Sequence, residues 1–325
     1  MSQTQKRFDV IALGELLIDF TENGMSQQGN PVLEANPGGA PCNVLSMLTR
    51  LGRKVAFIGK VGDDAFGKQL SAAIREQGID AEGLKFDKTV HTTLAIVMKL
   101  ANGDRDFAFY RNPGADICLT PEDVDEELIR ASRVFHFGSL SLTDEPVRSA
   151  TKKALAVAEE EGLIRSFDPN LREPLWPSLD AAAEQIGFGL EHTDVLKISD
   201  NEITWFTGKE DYDEGVAWLR AHYPNLKLIC VSLGPQGSRA YLGDLRVEVP
   251  AFLQEKTIET TGAGDTFGAC VISTVLEKGL DMSEEDLRKM LTFANAAASI
   301  VTTKKGALRV MPAVSEVEAF LREQK

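Results

Sequence analysis

The amino-acid sequence predicts an α/β fold, in which a mostly parallel central sheet lies between two helical layers as an α/β/α sandwich and carries a small antiparallel β layer. Short apolar segments that suit buried strands alternate with amphipathic segments of helical period along most of the 325 residues. The predicted strands include 8–14, 55–58, 134–137, 163–167, 195–198 and 226–232, and the predicted helices include 42–50, 66–77, 146–161, 265–278, 284–302 and 315–324. Because parallel strands need a crossover that packs on the sheet, this order predicts helices on both faces.

Two stretches depart from this alternation and predict the small antiparallel layer. Residues 16–34 are extended with Gly24 and Gly29 at turn positions, and residues 92–111 alternate apolar and polar side chains around Asn102-Gly103. An Asn-Gly pair between two such runs favours a tight hairpin, and the alternative is a surface hairpin without function. The predicted boundaries are a large domain of residues 1–14, 39–91 and 117–325 and an inserted β-sheet lid of residues 15–38 and 92–116.

Composition and charge restrict the class of function. The chain has 49 acidic and 35 basic residues and a formal net charge of −14, which offers no broad basic field for a nucleic acid or an anionic membrane. Its four cysteines are scattered without metal-ligand spacing, so we expect reduced, packed thiols in a cytoplasmic protein. The polar residues 1–7 lead straight into a strand, and we expect neither a targeting segment nor a membrane span.

The sharpest chemical signal is the segment ETTGAGDTFG at 259–268. Gly262, Ala263 and Gly264 let the backbone approach a ligand closely, and their N–H groups are predicted to form an anion hole. A helix is predicted to begin at Asp265. A helix N-terminus offers unpaired N–H groups and the positive end of its dipole to an anion. A carboxylate at Asp265 is placed to take a proton from an acceptor hydroxyl, so we expect a catalytic base. The alternative is a tight turn in which Asp265 is only a helix cap.

This segment resembles the C-terminal signature of the PfkB family of carbohydrate kinases. A second signature of that family is similar to PGGAPCN at 37–43, which is followed by Leu51-Gly52 and by GKVGDDAFG at 59–67. The order and separation of the two signatures also match, and the resemblance extends over nearly the whole chain. It implies a ribokinase-like fold and the ATP-dependent phosphorylation of a sugar.

On the sugar side, the resemblance implies binding by Asp19, by the adjacent glycines Gly38 and Gly39, and by Asn43. Carboxylate and amide groups suit sugar hydroxyls, and paired glycines let a polyhydroxylated ligand lie against bare backbone. Taken alone, Asp19 has the alternative of an exposed acid at a strand end.

Two arginines bear on which sugar is bound. Arg111 and Arg172 lie in the strings FYRNPGAD and DPNLREPLW, which look like those of fructokinases and favour the conversion of D-fructose to fructose 6-phosphate. Either guanidinium can hold a hydroxyl, a carboxylate or the transferring phosphate, and a structural ion pair is the alternative for each. The runner-up is a 2-keto-3-deoxygluconate kinase, whose acid substrate would give both arginines an anionic target. A non-catalytic sugar-binding relative would be expected to have lost Asp265 or its glycines, and both are intact.

On the nucleotide side, the resemblance implies a loop that cradles ATP and a magnesium-holding acid. The loop, SLGPQG at 232–237, contains Ser232, Gly234 and Gly237, and Asn295 corresponds to a position near the adenosine. Glu202 corresponds to the acid of the family's N-x-x-E motif, which helps to hold Mg²⁺ through water. Ser199 replaces the motif's asparagine, which weakens any coordinating role there. The alternatives are a first-turn helix acid for Glu202 and a helix-packing polar residue for Asn295.

The resemblance also implies a potassium site and a dimer. Family members often bind K⁺ beside the anion-binding turn, and Glu259 and Thr261 stand at the matching positions. Relatives often pair their lids, and uncovered β-edges make a homodimer through the lid physically reasonable. Other phosphate-binding motifs are absent from the sequence, namely the P-loop, the protein-kinase set and the G-x-G-x-x-G dinucleotide fingerprint.

Overall fold

The structure is a computed structural model that describes residues 6–99 and 105–324, and it is built around one large sheet. The strands of that sheet are β1 (Phe8–Leu13), β4 (Val55–Gly62), β5 (Asp80–Asp87), β8 (Ser132–Gly138), β9 (Ile164–Asp168), β10 (Val195–Ser199), β11 (Leu228–Ser232), β12 (Ser238–Leu242) and β13 (Leu245–Val249). Their order is β13-β12-β11-β10-β9-β8-β1-β4-β5. The pairings from β11 through β5 are parallel, and β12 and β13 join antiparallel. The mostly parallel central sheet is therefore confirmed.

The strands that the sequence did not predict, β5, β12 and β13, lie at or next to the two edges of this sheet. In β5 and β13 charged side chains interrupt the apolar run, as in LRVEV of β13, and in β12 the run is only the three residues AYL. An edge strand faces water on one side and tolerates this pattern. Periodicity alone therefore finds the centre of the sheet more easily than its margins.

Helices cover both faces of the sheet, as predicted. One face carries α1 (Ala40–Arg50), α2 (Ala65–Glu76), α8 (Ala263–Lys278), α9 (Glu284–Val301) and α10 (Val314–Glu323), and the other carries α3 (Glu126–Arg130), α4 (Val147–Glu160), α5 (Leu179–Glu191), α6 (Asp200–Thr207) and α7 (Tyr212–His222). Successive residues of β1 enter opposite cores: Val10 packs with the first set of helices and Ile11 with the second. None of the helices in residues 6–99 and 105–324 combines the length and the hydrophobicity needed to cross a membrane.

The small second sheet contains β2 (Leu17–Met25), β3 (Pro31–Gly38), β6 (Leu94–Lys99) and β7 (Arg105–Tyr110) in the order β3-β2-β6-β7. The prediction of a purely antiparallel layer is wrong in one respect. Each hairpin is antiparallel, but β2 and β6 pair in parallel, so the sheet is mixed. The predicted Asn102-Gly103 turn lies outside the described residues. The boundaries of the lid stay a prediction.

The topology brings the ends of three adjacent strands to one edge of the large sheet. Strands β9, β10 and β11 are parallel and end at Asp168, Ser199 and Ser232. Ligands of open α/β sheets bind outside the carboxyl ends of the strands. Residues predicted for the nucleotide and for its metal therefore lie at the edge where such a site is expected.

Candidate active site

The first turn of α8 forms the centre of the site. The helix begins at Ala263, so the prediction of a start at Asp265 is wrong, and Asp265 is the third helical residue instead of the cap. Gly262 is the N-cap with φ +80°, and a Cβ there would lie only 2.7 Å from the Cβ of Ala307. This turn therefore requires a glycine at 262.

The free N–H groups of this turn differ from the predicted set. The N–H of Ala263 donates to the carbonyl of Thr260 at 3.2 Å, whereas those of Gly262, Gly264 and Asp265 have no acceptor in residues 6–99 and 105–324. Ala263 is therefore not free to bind an anion in this conformation, because its donor is used within the turn. Gly264 and Asp265 present unpaired donors at the positive end of the helix.

Asp265 is buried, with 8% of its surface exposed, and its Oδ2 accepts a hydrogen bond of 2.8 Å from Nδ2 of Asn43. Burial raises the pKa of Asp265, and the bond from Asn43 and the charge of Lys197 offset this only in part. A carboxylate with a raised pKa is a stronger proton acceptor. Oδ1 of Asn43 is buried without a hydrogen-bond partner in the described part of the chain. Asp265 and Asn43 together therefore offer a carboxylate that can accept a proton and an amide oxygen that is free to accept a hydrogen bond.

A cavity of about 280 Å³ opens in front of Asp265, and we call it the first cavity. Its walls include Asp19, Gly39, Asn43, Arg172, Lys197, Gly264 and Asp265. Burial raises the pKa of Asp19 to about 7. Gly38 does not line the cavity but lies behind Asp19, where a Cβ would overlap the carboxylate. The structure therefore brings Asp19, Gly39 and Asn43 together around one space, with Gly38 supporting Asp19.

The two predicted arginines have different environments. Arg172 lines the first cavity, and its guanidinium donates a hydrogen bond of 3.1 Å to the carbonyl of its neighbour in the chain, Leu171. Arg111 does not line the cavity. Its Nε donates to Oδ2 of Asp116 at 2.8 Å, and its other nitrogens donate to the Thr143 hydroxyl and the Leu140 carbonyl. The contacts of Arg111 are those of a structural ion pair, so its position does not support substrate binding.

A second cavity, of about 380 Å³, lies beside the first, and we call it the second cavity. All the residues predicted for the nucleotide loop and the adenosine line it, namely Ser232, Gly234, Gly237 and Asn295. Oδ1 of Asn295 accepts from the Ser238 hydroxyl at 2.8 Å, and its Nδ2 donates to two backbone carbonyls at 3.1 Å. Asn295 therefore contributes a packing surface to the cavity, because its side-chain polar atoms already form hydrogen bonds within the protein. Thr260 and Gly264 line both cavities, so the first turn of α8 is their common boundary.

The carboxylate of Glu202, which was predicted to hold magnesium, already accepts three hydrogen bonds from the protein. Oε1 of Glu202 accepts from the N–H of Leu171, and Oε2 accepts from the N–H and hydroxyl of Ser199, each at 2.8 Å. No group of three or more potential ligands among His, Cys, Asp and Glu occurs in the described residues. Mg²⁺ often takes one or two carboxylates together with waters and substrate phosphates. The free lone pairs of Glu202 fit contact through water better than direct coordination.

The residues predicted for potassium lie beside the shared turn. Glu259 and Thr261 both line the first cavity. The Glu259 carboxylate accepts the N–H of Gly306. Their role toward K⁺ stays a prediction.

Three charged residues near the site, Lys197, Asp168 and Glu15, were not predicted from the sequence. Lys197 forms an ion pair with Asp168 at 3.0 Å and lines the first cavity. Glu15 is buried, accepts from the N–H of Ala40 at 2.7 Å, and has a pKa that burial raises to about 7. The sequence does contain a signal for Lys197, because a lysine in the middle of the otherwise apolar strand VLKIS is unusual and suggests a function. Glu15 follows a buried strand and gives a weaker signal of the same kind.

Known proteins of similar sequence and fold indicate the family of this chain. Residues 7–314 match the pfkB family of carbohydrate kinases. The chain is 45% identical over 318 residues to a probable fructokinase-2 of Arabidopsis thaliana, a match covering 97% of this chain and 96% of that one. It resembles the ATP-bound fructokinase of Xylella fastidiosa with a TM-score of 0.88 at 29% identity, covering 97% and 98% of the two chains.

A double mutant of the Vibrio cholerae O395 fructokinase, solved with fructose, ADP and potassium, has a TM-score of 0.85 at 28% identity, covering 98% of this chain and 100% of that one. The predicted family and ribokinase-like fold are thus confirmed. The family match over 7–314, together with the full-length relative, shows that the chain belongs to the pfkB family of carbohydrate kinases and is a sugar phosphotransferase.

Proposed function

We propose that this protein transfers the γ-phosphoryl group of ATP to a primary hydroxyl of D-fructose and forms fructose 6-phosphate and ADP. The observation that carries the proposal is the pair of cavities that meet at the first turn of α8, with Asp265 in the first cavity and the glycine loop in the second. The full-length likeness to a plant fructokinase supports fructose as the acceptor.

The residues at the boundary divide the chemistry between them. Asp265 takes the proton of the acceptor hydroxyl as its oxygen attacks the γ-phosphorus. The N–H groups of Gly264 and Asp265 stabilise the charge that develops on the phosphoryl oxygens. Because this transfer involves little covalent chemistry by the protein, positioning and charge stabilisation account for most of the catalysis.

The balance of charge in the first cavity favours a neutral sugar over an acid. Its lining contains five carboxylates, Glu15, Asp19, Glu22, Glu259 and Asp265, and three cations, Arg172, Lys197 and Lys305. With Arg111 paired to Asp116, only Arg172 remains of the two arginines that would attract the carboxylate of 2-keto-3-deoxygluconate. Asp19 and Asn43 instead offer acceptors to sugar hydroxyls.

We propose Mg²⁺ and K⁺ as cofactors, held near Glu202 through water and near Glu259 and Thr261, respectively. The potassium-bound fructokinase of Vibrio cholerae O395 supports the second of these. When bound, such cations reduce the negative charge that the protein meets on the nucleotide phosphates.

We also propose a cytoplasmic homodimer that pairs through the lid sheet. Met25, Val32, Leu33 and Tyr110 expose large apolar side chains on this sheet, and exposed apolar patches favour association. The four cysteines are free thiols, which supports a reducing compartment. Light scattering of the purified protein should give the mass of two chains, and Leu33→Lys should shift it toward one. A monomeric mass for the unmodified chain would contradict the dimer.

A sugar panel tests the proposed activity. ADP release is measured with fructose, 2-keto-3-deoxygluconate, ribose, adenosine and tagatose, and ³¹P NMR locates the phosphate on the product. We expect the highest kcat/KM with fructose and a phosphate at carbon 6. A strong response only to 2-keto-3-deoxygluconate would overturn the sugar assignment, and no response to any acceptor would favour a non-catalytic sugar-binding protein.

A further inference from the structure

Lys197 is a charged residue in the middle of the sheet. It is the central residue of β10, and its neighbours Leu196 and Ile198 are buried in the apolar core. Its Nζ lies 3.1 Å from Oδ1 and 3.0 Å from Oδ2 of Asp168, and the two side chains are 11% and 7% exposed. A buried ion pair is a poor source of stability compared with apolar side chains of the same size. The pair therefore calls for a functional explanation.

The ammonium group lies against the backbone of the anion-binding turn. A Cβ placed on Gly264 would be 3.1 Å from Nζ of Lys197, so the lysine occupies the space directly beside the first turn of α8. Lys197 lines the first cavity together with Gly264 and Asp265. An ammonium has three N–H donors, and Asp168 is the sole acceptor that Lys197 contacts among the described residues. A donor therefore remains for a ligand.

Neighbouring carboxylates keep the Lys197 side chain protonated. Burial acts to lower the pKa of Lys197, but Asp168 and then Glu202 outweigh burial, and the pKa is raised. The side chain thus carries a positive charge at neutral pH beside the N–H groups of Gly264 and Asp265. A cation at this place faces the oxygens that gain charge as a phosphoryl group moves from one cavity to the other.

We infer that Lys197 is a catalytic residue whose ammonium binds the transferring phosphoryl group, and that Asp168 is the positioning residue that holds it. The inference rests on the proposed phosphoryl transfer. In that step the bond between the γ-phosphorus and the bridging oxygen of ADP breaks, and a bond to the sugar oxygen forms. The hydroxyl proton goes to Asp265, and Lys197 keeps its protons throughout.

Lys197→Met in the full-length protein tests the inference. We expect kcat to fall by about 10²–10³, the usual effect of removing one donor to a transition-state oxyanion, with KM for fructose within threefold. Binding of ADP alone should change by less than threefold. Binding of ADP with aluminium fluoride and fructose, which imitates the phosphoryl group in flight, should weaken by a factor close to that in kcat.

Two further variants separate this role from a structural one. Lys197→Met alone leaves Asp168 as a lone buried charge, so Lys197→Met combined with Asp168→Asn removes both charges and should fold normally yet remain as slow. Lys227→Met is the matched control, because Lys227 pairs with Asp194 at 2.9 Å before β11, and it should keep the original kcat.

Two results would overturn the inference: a kcat within threefold of the original in the double variant, or an equal loss of binding for ADP and for its aluminium fluoride complex. The unmodified protein is assayed in parallel with the sugar panel. If it does not use fructose, the proposed function fails, and the effect of Lys197→Met is then judged with the sugar that is used and by nucleotide binding.

Discussion

The two cavities that meet at α8 have walls of different chemistry. In the first cavity, side chains with charge or hydrogen-bonding groups face the space, as Asp19, Asn43 and Arg172 do. In the second, small residues and backbone dominate, as at Gly234 and Gly237, and the polar atoms of Asn295 are already bonded to the protein. We therefore expect individual side chains to recognise the sugar and the shape of the second cavity to recognise the nucleotide. Single substitutions should therefore change the KM for fructose far more than the KM for ATP.

The largest effect is expected at the boundary of the cavities. Asp265→Asn removes the base while keeping an oxygen that can accept from Nδ2 of Asn43, so kcat should fall by about 10²–10⁴ with fructose and ATP affinity retained. Initial rates and nucleotide titration check this. Asp244→Asn, an exposed acid in the turn before β13, is the control and should keep the original rate. Near-normal turnover in Asp265→Asn would show that another group accepts the proton.

The two arginines give the next largest contrast. Arg172→Met should raise the fructose KM roughly 10- to 100-fold, the effect of losing a hydrogen bond to a charged group, with the midpoint of thermal unfolding little changed. Arg111→Met should instead leave Asp116 buried without its partner and destabilise the fold by about 3–5 kcal/mol. Steady-state kinetics and thermal unfolding of both variants separate the two roles. The reverse pattern would place Arg111 in the substrate site.

A smaller effect should follow the ionisation of Asp19. Burial raises its pKa to about 7, so the carboxylate that accepts a sugar hydroxyl best is formed only as the pH rises through that value. The fructose KM should therefore increase roughly tenfold from pH 8 to pH 6, and Asp19→Asn should remove this dependence. A KM that depends on pH equally in both proteins would assign the effect to another group.

The same pKa has a consequence for stability. Because the folded pKa lies above the unfolded value of 3.8, the stabilising contribution of Asp19 is complete below that value and is lost as the pH rises through about 7. Asp19→Asn should accordingly gain stability relative to the original protein between pH 5 and pH 8, as measured by thermal unfolding.

The smallest effect is expected in the second cavity. Leu253 lines it and is 74% exposed, which leaves an apolar surface for a nucleobase to cover. Leu253→Ala should raise the KM for ATP by roughly fivefold, the loss of about 1 kcal/mol of apolar contact, without changing the KM for fructose. A larger change in the fructose KM than in the ATP KM would contradict the division of roles between the cavities.

Much of the fold could be predicted because the buried strands and the amphipathic helices repeat with clear periods. The edge strands β5 and β13 were missed, since alternating charges conceal their pattern, and their neighbour β12 was missed because its apolar run is short. The parallel pairing of β2 with β6 was also missed, because local hairpin signals say nothing of which strands meet side by side. Pairings between distant segments are set by packing, which one sequence does not reveal.

The sequence predicted which residues lie together where each belongs to a motif, while their roles stay predictions. Asp265, Asn43 and Asp19 meet in one cavity, although they are far apart in the chain. The use of the Ala263 N–H within its own turn and of the Arg111 guanidinium by Asp116 depends on three-dimensional contacts and could not be deduced. Lys197 was overlooked because a lone charge in a strand has no motif around it.

One helical turn separates the two cavities, with Thr260 and Gly264 in the walls of both. We expect this shared boundary to hold one phosphoryl group at a time. A newly made sugar phosphate and a fresh triphosphate would compete for that same place, so they exclude each other. We therefore expect the product to leave the first cavity before the next ATP binds fully, and accumulated sugar phosphate to slow the enzyme by competing with ATP.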